Sequence, residues 1–165
     1  MSTYKQSIPQ ADTLMGSMRS MGYSFEAAIA DVIDNSISAN CNVVKLFFPS
    51  EPTDELVVGI LDDGEGMPAD VLFEAMRYGS TDSELERRAN DLGRFGLGMK
   101  SASLSQCRIL TVVSLYADKL SSYSWDFNCI QKRKEWIVKE LSQTEIKSLP
   151  YVDSLLELSH GTLVL

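Results

Sequence analysis

Two short polar motifs carry the residue types in this sequence that could perform chemistry. In the first, Asp31, Asn35 and Ser38 recur at helical spacing and therefore share one narrow face of a helix. A carboxylate and a carboxamide one turn apart could hold a metal ion and orient a water molecule. The same stripe is typical of a solvated polar face on an amphipathic helix, and this segment alone favours that simpler interpretation.

The second motif, DDGEGMP at positions 62–68, follows an apolar segment with the composition of a buried strand. Its alternate glycines, Gly64 and Gly66, allow the backbone to approach a ligand closely. Asp62 lies at the mouth of the strand and could accept a hydrogen bond from an amino group, because burial would fix the direction of its side chain. An ordinary tight turn has a similar composition, so this motif alone is weak.

A glycine-rich segment, GRFGLGMKS at positions 93–101, resembles a phosphate-binding loop. Its glycines expose backbone N–H groups, and a helix predicted to start near Gly98 places Lys100 and Ser101 at its N-terminus. The order of residues matches neither a Walker A loop nor a dinucleotide fingerprint. The polar stretch before it, from Tyr78 to about Asn90, is typical of either a disordered segment or a functional lid.

Hydrophobic periodicity predicts the elements that position these motifs. Ser24 is expected to cap a helix running to about Asn40, with an apolar arc that packs on a sheet. The predicted arc consists of Phe25, Ile29, Val32, Ile33 and Ile37. A short helix capped by Asp12 is predicted before it, another helix after Pro68, and partly helical structure over residues 144–158. Strands are predicted over residues 42–48, 56–61, 108–116, 121–127 and 134–141 and from position 160.

Two further predictions concern the second half of the chain. The basic cluster Lys132, Arg133 and Lys134 is predicted to lie at a hairpin turn before the 134–141 strand. His160, the only histidine, is expected to be a surface turn residue, and a single histidine excludes a multi-histidine metal site.

Composition bounds the class of protein. A chain of 165 residues with 44% hydrophobic and 23% charged residues suits one soluble domain, with residues 1–9 as a loose arm. The net charge of −8 argues against a nucleic-acid surface, and no apolar run is long enough to span a membrane. Three scattered cysteines indicate reduced thiols in a cytoplasm. Because the last predicted strand runs to the final residue, we expect the N-terminal part of a longer protein.

The ordered set of motifs resembles the GHKL ATPases, the Bergerat-fold family of gyrase B, ninety-kilodalton heat-shock chaperones, histidine kinases and MutL. The four signals are Asp-x-x-x-Asn on a helix, Asp-x-Gly-x-Gly-Met after a strand, the glycine-rich Lys-Ser loop, and Gly-Thr on the last strand. The ending of the loop is most similar to MORC-type and related bacterial members. The resemblance implies an α+β fold, in which a mostly antiparallel sheet carries helices on one face and ATP binds under a lid formed by residues 79–95.

The resemblance also implies residue roles. Asn35 would coordinate Mg²⁺, and Asp62 would accept from the adenine amino group, partly through a water shared with Thr162. Asp31 stands where these ATPases usually have the glutamate that orients the attacking water, so we expect slow hydrolysis. The remaining expected nucleotide contacts are Ser38, Gly64, Gly66, Met67, Gly96, Leu97, Gly98, Met99, Lys100 and Ser101.

The resemblance leaves three functions to distinguish. The first is a magnesium-dependent ATPase that binds ATP and ADP and dimerises with a second copy when ATP is bound. The second is a protein kinase of the histidine-kinase or anti-sigma type, against which the carboxylate of Asp31 argues. The third is a nucleotide sensor without catalysis.

Overall fold

The computed structural model describes residues 7–20, 22–49, 56–77 and 98–165, with the side chains of residues 98–101 excepted. In these ranges a six-stranded antiparallel sheet has the order β1-β2-β6-β3-β4-β5 and carries packed helices, which confirms the predicted α+β sandwich. The strands are β1 (Val44–Phe47), β2 (Gly59–Asp62), β3 (Ile109–Tyr116), β4 (Lys119–Asp126), β5 (Lys139–Glu140) and β6 (Gly161–Val164). The helices are α1 (Ala11–Arg19), α2 (Phe25–Ser38), α3 (Ala69–Met76), α4 (Gly98–Gln106), α5 (Phe127–Arg133), α6 (Gln143–Lys147) and α7 (Val152–Leu156).

Each face of the sheet has its own apolar core. Helices α1 to α5 contribute to the larger core, in which Met15, Leu72 and Leu104 pack near Val112 and Trp125. The short helices α6 and α7 pack on the opposite face, around Ile146 and Leu155. The elements that carry the polar motifs therefore lie on the first face, and the two short helices cover the second, which the expected one-sided arrangement did not include.

Helix α2 begins where the sequence predicts, because the side chain of Ser24 accepts a hydrogen bond from the backbone N–H of Ala27 at 3.2 Å. The predicted apolar arc is wrong at its ends, since Phe25 and Ile37 are 42% and 54% exposed. The buried line instead consists of Ala28, Val32 and Ser36. A side-chain hydroxyl therefore takes the place of an apolar contact at the point where α2 crosses the end of the sheet.

Helix α5 corrects the prediction of a hairpin turn at the basic cluster. Asp126 caps this helix by accepting from the backbone N–H groups of Asn128 and Cys129. Lys132 and Arg133 form its last turn, where positive charge favours the negative end of the helix dipole, and Lys134 ends it in a left-handed conformation. The predicted 134–141 strand shrinks to β5, because the sequence before it continues as a helix and a loop.

The first helix starts two residues earlier than predicted. Asp12 lies in the first turn of α1 and does not cap it, while Gln10 occupies the capping position without a side-chain bond. Among the residues that the structure describes, no helix is long and apolar enough to cross a membrane.

Candidate functional site

A row of buried polar side chains crosses three neighbouring strands on the helical face of the sheet. Asp62 on β2 pairs with Thr162 on β6, and Thr162 pairs with Ser114 on β3. Their exposed fractions are 4%, 8% and 0%. The residues two positions along each strand belong to the apolar core under the helices, so the polar row marks the edge of that core. Buried polar groups need hydrogen-bond partners, and a ligand bound at this row could supply those that the protein does not.

The carboxylate of Asp62 is held from two sides. Its Oδ2 accepts from the hydroxyl of Ser36 at 2.7 Å, and its Oδ1 accepts from the backbone N–H of Gly64 at 2.9 Å. Burial raises the pKa of Asp62 above the usual range, while these hydrogen bonds favour the ionised form. The backbone of Thr162 provides a third hydrogen bond that favours the ionised form. A carboxylate has about four acceptor positions, so Asp62 remains able to accept from a ligand.

Ser36 is a site residue that the sequence reasoning missed. The signal was present, because Ser36 lies four residues after Val32 and eight after Ala28 on the line that faces the sheet. Its hydrogen bond to Asp62 joins α2 to β2, and it is the chain neighbour of Asn35. The helix motif and the strand motif therefore meet at one place in the fold.

The exposed stripe of α2 is ordered by its own backbone. The Nδ2 of Asn35 donates to the carbonyl of Asp31 at 2.8 Å, and Ser38 donates to the carbonyl of Asp34 at 2.9 Å. Because a carbonyl oxygen only accepts, Asn35 must turn its Nδ2 toward the carbonyl of Asp31. Its Oδ1 takes no part in this bond. An amide oxygen beside a carboxylate is the donor type that Mg²⁺ prefers, so these residues fit a magnesium ion.

Asp31 is half-buried on the same helix. Burial raises the pKa of its carboxyl group above the ordinary value, and the nearby charge of Asp34 raises it further. A raised pKa moves a carboxylate toward the range in which it accepts protons effectively near neutral pH. The environment of Asp31 is thus compatible with a general base.

The loop Asp63–Met67, which we call the 63–67 loop, packs against the polar row. Gly66 has a φ of +68°, and a Cβ atom built there would lie 2.3 Å from the carbonyl oxygen of Leu115. Only glycine fits this position, because both the backbone conformation and the space exclude a side chain. The next residue, Met67, donates its N–H to the hydroxyl of Ser114 at 2.6 Å.

One side chain and one backbone group tie the same loop to its surroundings. Asp63 accepts from the backbone N–H groups of Asn42 and Val43 at 2.7 and 2.8 Å, and these bonds lower its pKa. The N–H of Glu65 donates to the carbonyl of Ala39 at the end of α2. The loop is therefore ordered without a ligand, which reduces the entropy lost on binding.

Two contacts place the end of the chain against this loop. His160 is exposed at a bend, as expected of a surface turn residue, and its Nδ1 lies 2.6 Å from the carbonyl oxygen of Gly64. At Gly161, a Cβ atom would lie 2.3 Å from the carbonyl oxygen of Asp62. Both residues lie at the start of the predicted last strand, but nothing in the sequence indicated that this start contacts the 63–67 loop.

The predicted phosphate-binding residues lie only partly within the described chain. Gly96 and Leu97 are outside the described residues. Helix α4 starts at Gly98, as predicted, and contains Met99, Lys100 and Ser101, whose side chains are not described. The helix packs against α1 and α2, which places its first turn on the same face of the sheet as the stripe of α2.

The far end of α4 is fixed by an arginine. Arg19 donates from its guanidinium group to the carbonyl of Leu104 at 2.5 Å and to that of Cys107. Leu104 lies in the last turn of α4 and Cys107 directly follows the helix, so Arg19 caps this end of α4 and holds α1 to it.

Comparison with known families agrees with this arrangement. The family described as histidine kinase-, DNA gyrase B- and HSP90-like ATPases matches residues 23–162. The chain belongs to this family. The match includes α2, the 63–67 loop and the Gly-Thr strand, so the polar row belongs to the ATP-binding domain of a GHKL ATPase. A search of curated protein sequences gives no match.

The hydroxyl of Ser36 gives the GHKL pocket a testable pH dependence. Because the Ser36 bond favours the ionised form of Asp62, Ser36→Ala raises the pKa of Asp62 further. We expect about fivefold weaker ATP binding near neutral pH, because the Asp62 carboxylate loses the hydrogen bond that fixes its direction toward a ligand. Binding should then be lost at a higher pH than in wild type as the solution is acidified. Calorimetric titration across the pH range measures both effects.

The matched control for Ser36→Ala is Ser17→Ala. Ser17 lies on α1 and donates to the carbonyl four residues earlier, as a mid-helix serine commonly does, but it is exposed. Ser17→Ala should leave ATP affinity and its pH dependence unchanged. If both variants behaved alike, the hydrogen bond to Asp62 would have no role in binding.

Proposed function

We propose that this GHKL domain hydrolyses ATP in the presence of Mg²⁺ and acts as a conformational switch that dimerises with ATP bound. The observation that carries this proposal is the hydrogen bond from Ser36 to the buried carboxylate of Asp62. It joins the helix that carries Asp31 and Asn35 to the strand end that would recognise the base. Base recognition and cation binding would then share one pocket.

The nucleobase would be recognised at the polar row. Asp62 would accept from the adenine amino group, with a water shared with Thr162 completing the contact. Support comes from the burial of both side chains and from their pairing across β2 and β6. Gly64, Gly66 and Met67 would form the adjoining wall, because their loop is held against Ser114.

The triphosphate would lie between α2 and the N-terminus of α4, where free backbone N–H groups favour anions. Asn35 would hold Mg²⁺ through Oδ1, and the ion would neutralise charge on the phosphates. Ser38, on the same helix face, would contact the nucleotide. The phosphate-binding residues would be Gly96, Leu97, Gly98, Met99, Lys100 and Ser101, with residues 79–95 as the lid.

Asp31 would act as the general base. Its carboxylate would accept a proton from the water that attacks the γ-phosphorus, while the bond to the bridging oxygen breaks and ADP leaves. The raised pKa of Asp31 supports this role. Aspartate is one methylene shorter than glutamate, so reach is reduced and slow turnover is expected.

The biological setting follows from the same proposal. ATP binding would favour a homodimer of the whole protein, and hydrolysis to ADP would reset it. The free cysteines among the described residues are compatible with a cytoplasmic location.

Calorimetry with a non-hydrolysable ATP analogue tests the proposal. We expect saturable binding that is at least about tenfold tighter with Mg²⁺ than with a chelator, because the ion would screen the phosphates beside Asp31. Equal affinity in both conditions would exclude the magnesium role of Asn35. Absence of binding to the intact chain would exclude the function.

A further inference from the structure

A residue outside the recognised motifs, His160, contacts the 63–67 loop through its side chain. The carbonyl oxygen of Gly64 lies 2.6 Å from Nδ1 of His160. A carbonyl oxygen can only accept, so Nδ1 must carry the proton. The contact therefore specifies the Nδ1–H form of the ring, and in a neutral ring Nε2 is the acceptor.

Three consecutive residues make contact with the same short segment. His160 donates to Gly64, Gly161 approaches the carbonyl of Asp62 so closely that a Cβ would not fit, and Thr162 pairs with Asp62 across the strands. The start of β6 thus follows the segment from Asp62 to Gly64 residue by residue. Of the three, only His160 reaches the loop through its side chain.

The other hydrogen bonds described for the loop do not use the carbonyl oxygen of Gly64, which His160 contacts. Glu65 is bonded through its N–H to the end of α2, and Met67 through its N–H to Ser114. Gly64 donates its own N–H to Asp62 and offers its oxygen to His160. The Gly64 carbonyl lies in the same peptide unit as the Glu65 N–H, and the Gly64 N–H lies in the preceding unit. The imidazole and Ala39 therefore hold the Gly64–Glu65 unit from its two sides, and this restrains Gly64, whose N–H orients the Asp62 carboxylate.

We propose that His160 is a positioning residue for the nucleobase-binding site, acting through the Gly64 peptide on Asp62. The proposal rests on the proposed ATP-binding function. Its effect is on the nucleobase end of the ligand, so adenosine and ATP should lose affinity by the same factor when the bond is removed. The reaction at the phosphates should change only through binding.

The tautomer is the first test, and it needs no ligand. Because the chain has one histidine, ¹⁵N-imidazole NMR of the full chain reports on His160 without assignment variants. We expect protonated Nδ1 and unprotonated Nε2 at a pH where the ring is neutral. A spectrum of the Nε2–H form, or of rapidly averaging tautomers, would overturn the proposal.

Three substitutions then separate positioning from general stability. His160→Asn places an amide N–H near the former Nδ1, His160→Gln carries its amide to the region of Nε2, and His160→Ala removes the donor. We expect His160→Asn to bind ATP and adenosine nearly as wild type, and the other two to bind both about three- to tenfold more weakly. Equal affinities for all three variants, at any level, would contradict the role of the hydrogen bond.

Hydrogen exchange at the loop gives a readout that does not depend on nucleotide binding. The amides of Glu65 and Met67 should exchange faster in His160→Ala and His160→Gln than in wild type, and His160→Asn should restore protection. Unchanged exchange in every variant would overturn the proposal even if ATP binds. Failure of wild type to bind ATP, with the expected tautomer and exchange, would instead refute only the proposed function.

Discussion

Asp62→Asn is expected to weaken ATP binding about 10- to 100-fold while the free energy of unfolding at neutral pH stays the same or rises. The binding loss reflects one charge-assisted hydrogen bond to the adenine amino group, worth about 1.5–3 kcal/mol. The fold should tolerate the amide, because its oxygen can accept from Gly64 and its Nδ2 can donate to Ser36. Ser36 can then donate to the carbonyl of Val32, which is 3.3 Å away.

The pKa of Asp62 determines the direction in which its charge changes the free energy of unfolding. Burial raises the pKa of Asp62 in the folded state, so the folded protein binds this proton more tightly than the unfolded chain. The charged carboxylate therefore costs stability above the folded pKa, and this cost disappears as the pH falls below the unfolded value. Asparagine has no such cost, so only wild type should gain stability from this residue on acidification.

Calorimetry for binding and thermal unfolding for stability together test this variant. Asp118→Asn is the matched control, because Asp118 is exposed, lies in the β3–β4 turn and has a φ of +61° that asparagine also tolerates. It removes the same charge far from the polar row and should change neither property. Normal ATP affinity in Asp62→Asn would refute the adenine-recognition role.

Asp31→Asn should lower the rate of ATP hydrolysis about 100- to 10,000-fold while ATP affinity stays within about twofold of wild type. The amide cannot accept the proton from the attacking water. The backbone carbonyl that Asn35 contacts is retained, so the geometry of the cation site should be kept. Release of inorganic phosphate from labelled ATP measures the rate, and the same assay shows whether label is transferred to a protein.

Asp34→Asn is the control for this experiment, since it removes an exposed carboxylate from the same helix. Turnover should persist, and its decline at low pH should move to lower pH, because the charge of Asp34 raises the pKa of Asp31. Loss of turnover in Asp34→Asn but not in Asp31→Asn would show that Asp31 is not the general base. Label on a protein side chain would favour the kinase alternative, and no turnover in wild type would favour the sensor.

The sequence predicted the elements well where one local signal dominated. The helix cap at Ser24, the antiparallel strands β3 and β4, and the start of α4 at Gly98 follow from capping and periodicity. The errors arose where two signals competed. The apolar run around Trp136 was typical of a strand, but the cap at Asp126 started a helix that used the preceding residues.

The candidate site was predictable in its motifs and not in its connections. Asp31, Asn35, Asp62 and Thr162 could be selected from residue type and spacing. Their roles as base, cation ligand and adenine contacts remain predictions. Ser36 was missed because its spacing from Ala28 and Val32 indicates burial but does not identify Asp62 as its hydrogen-bond partner.

The sequence by itself determined the family, the sandwich of helices on a sheet and the order in which the polar motifs occur. These properties depend on local composition and on periods that can be read along one chain. Only the tertiary structure decided that Ser36 and Gly64 hold the Asp62 carboxylate and that His160 faces the Gly64 carbonyl. The Ser36–Asp62 bond spans 26 positions of the chain, and the His160–Gly64 contact spans 96. Such contacts depend on strand register and helix rotation, which are set by the packing of the whole core.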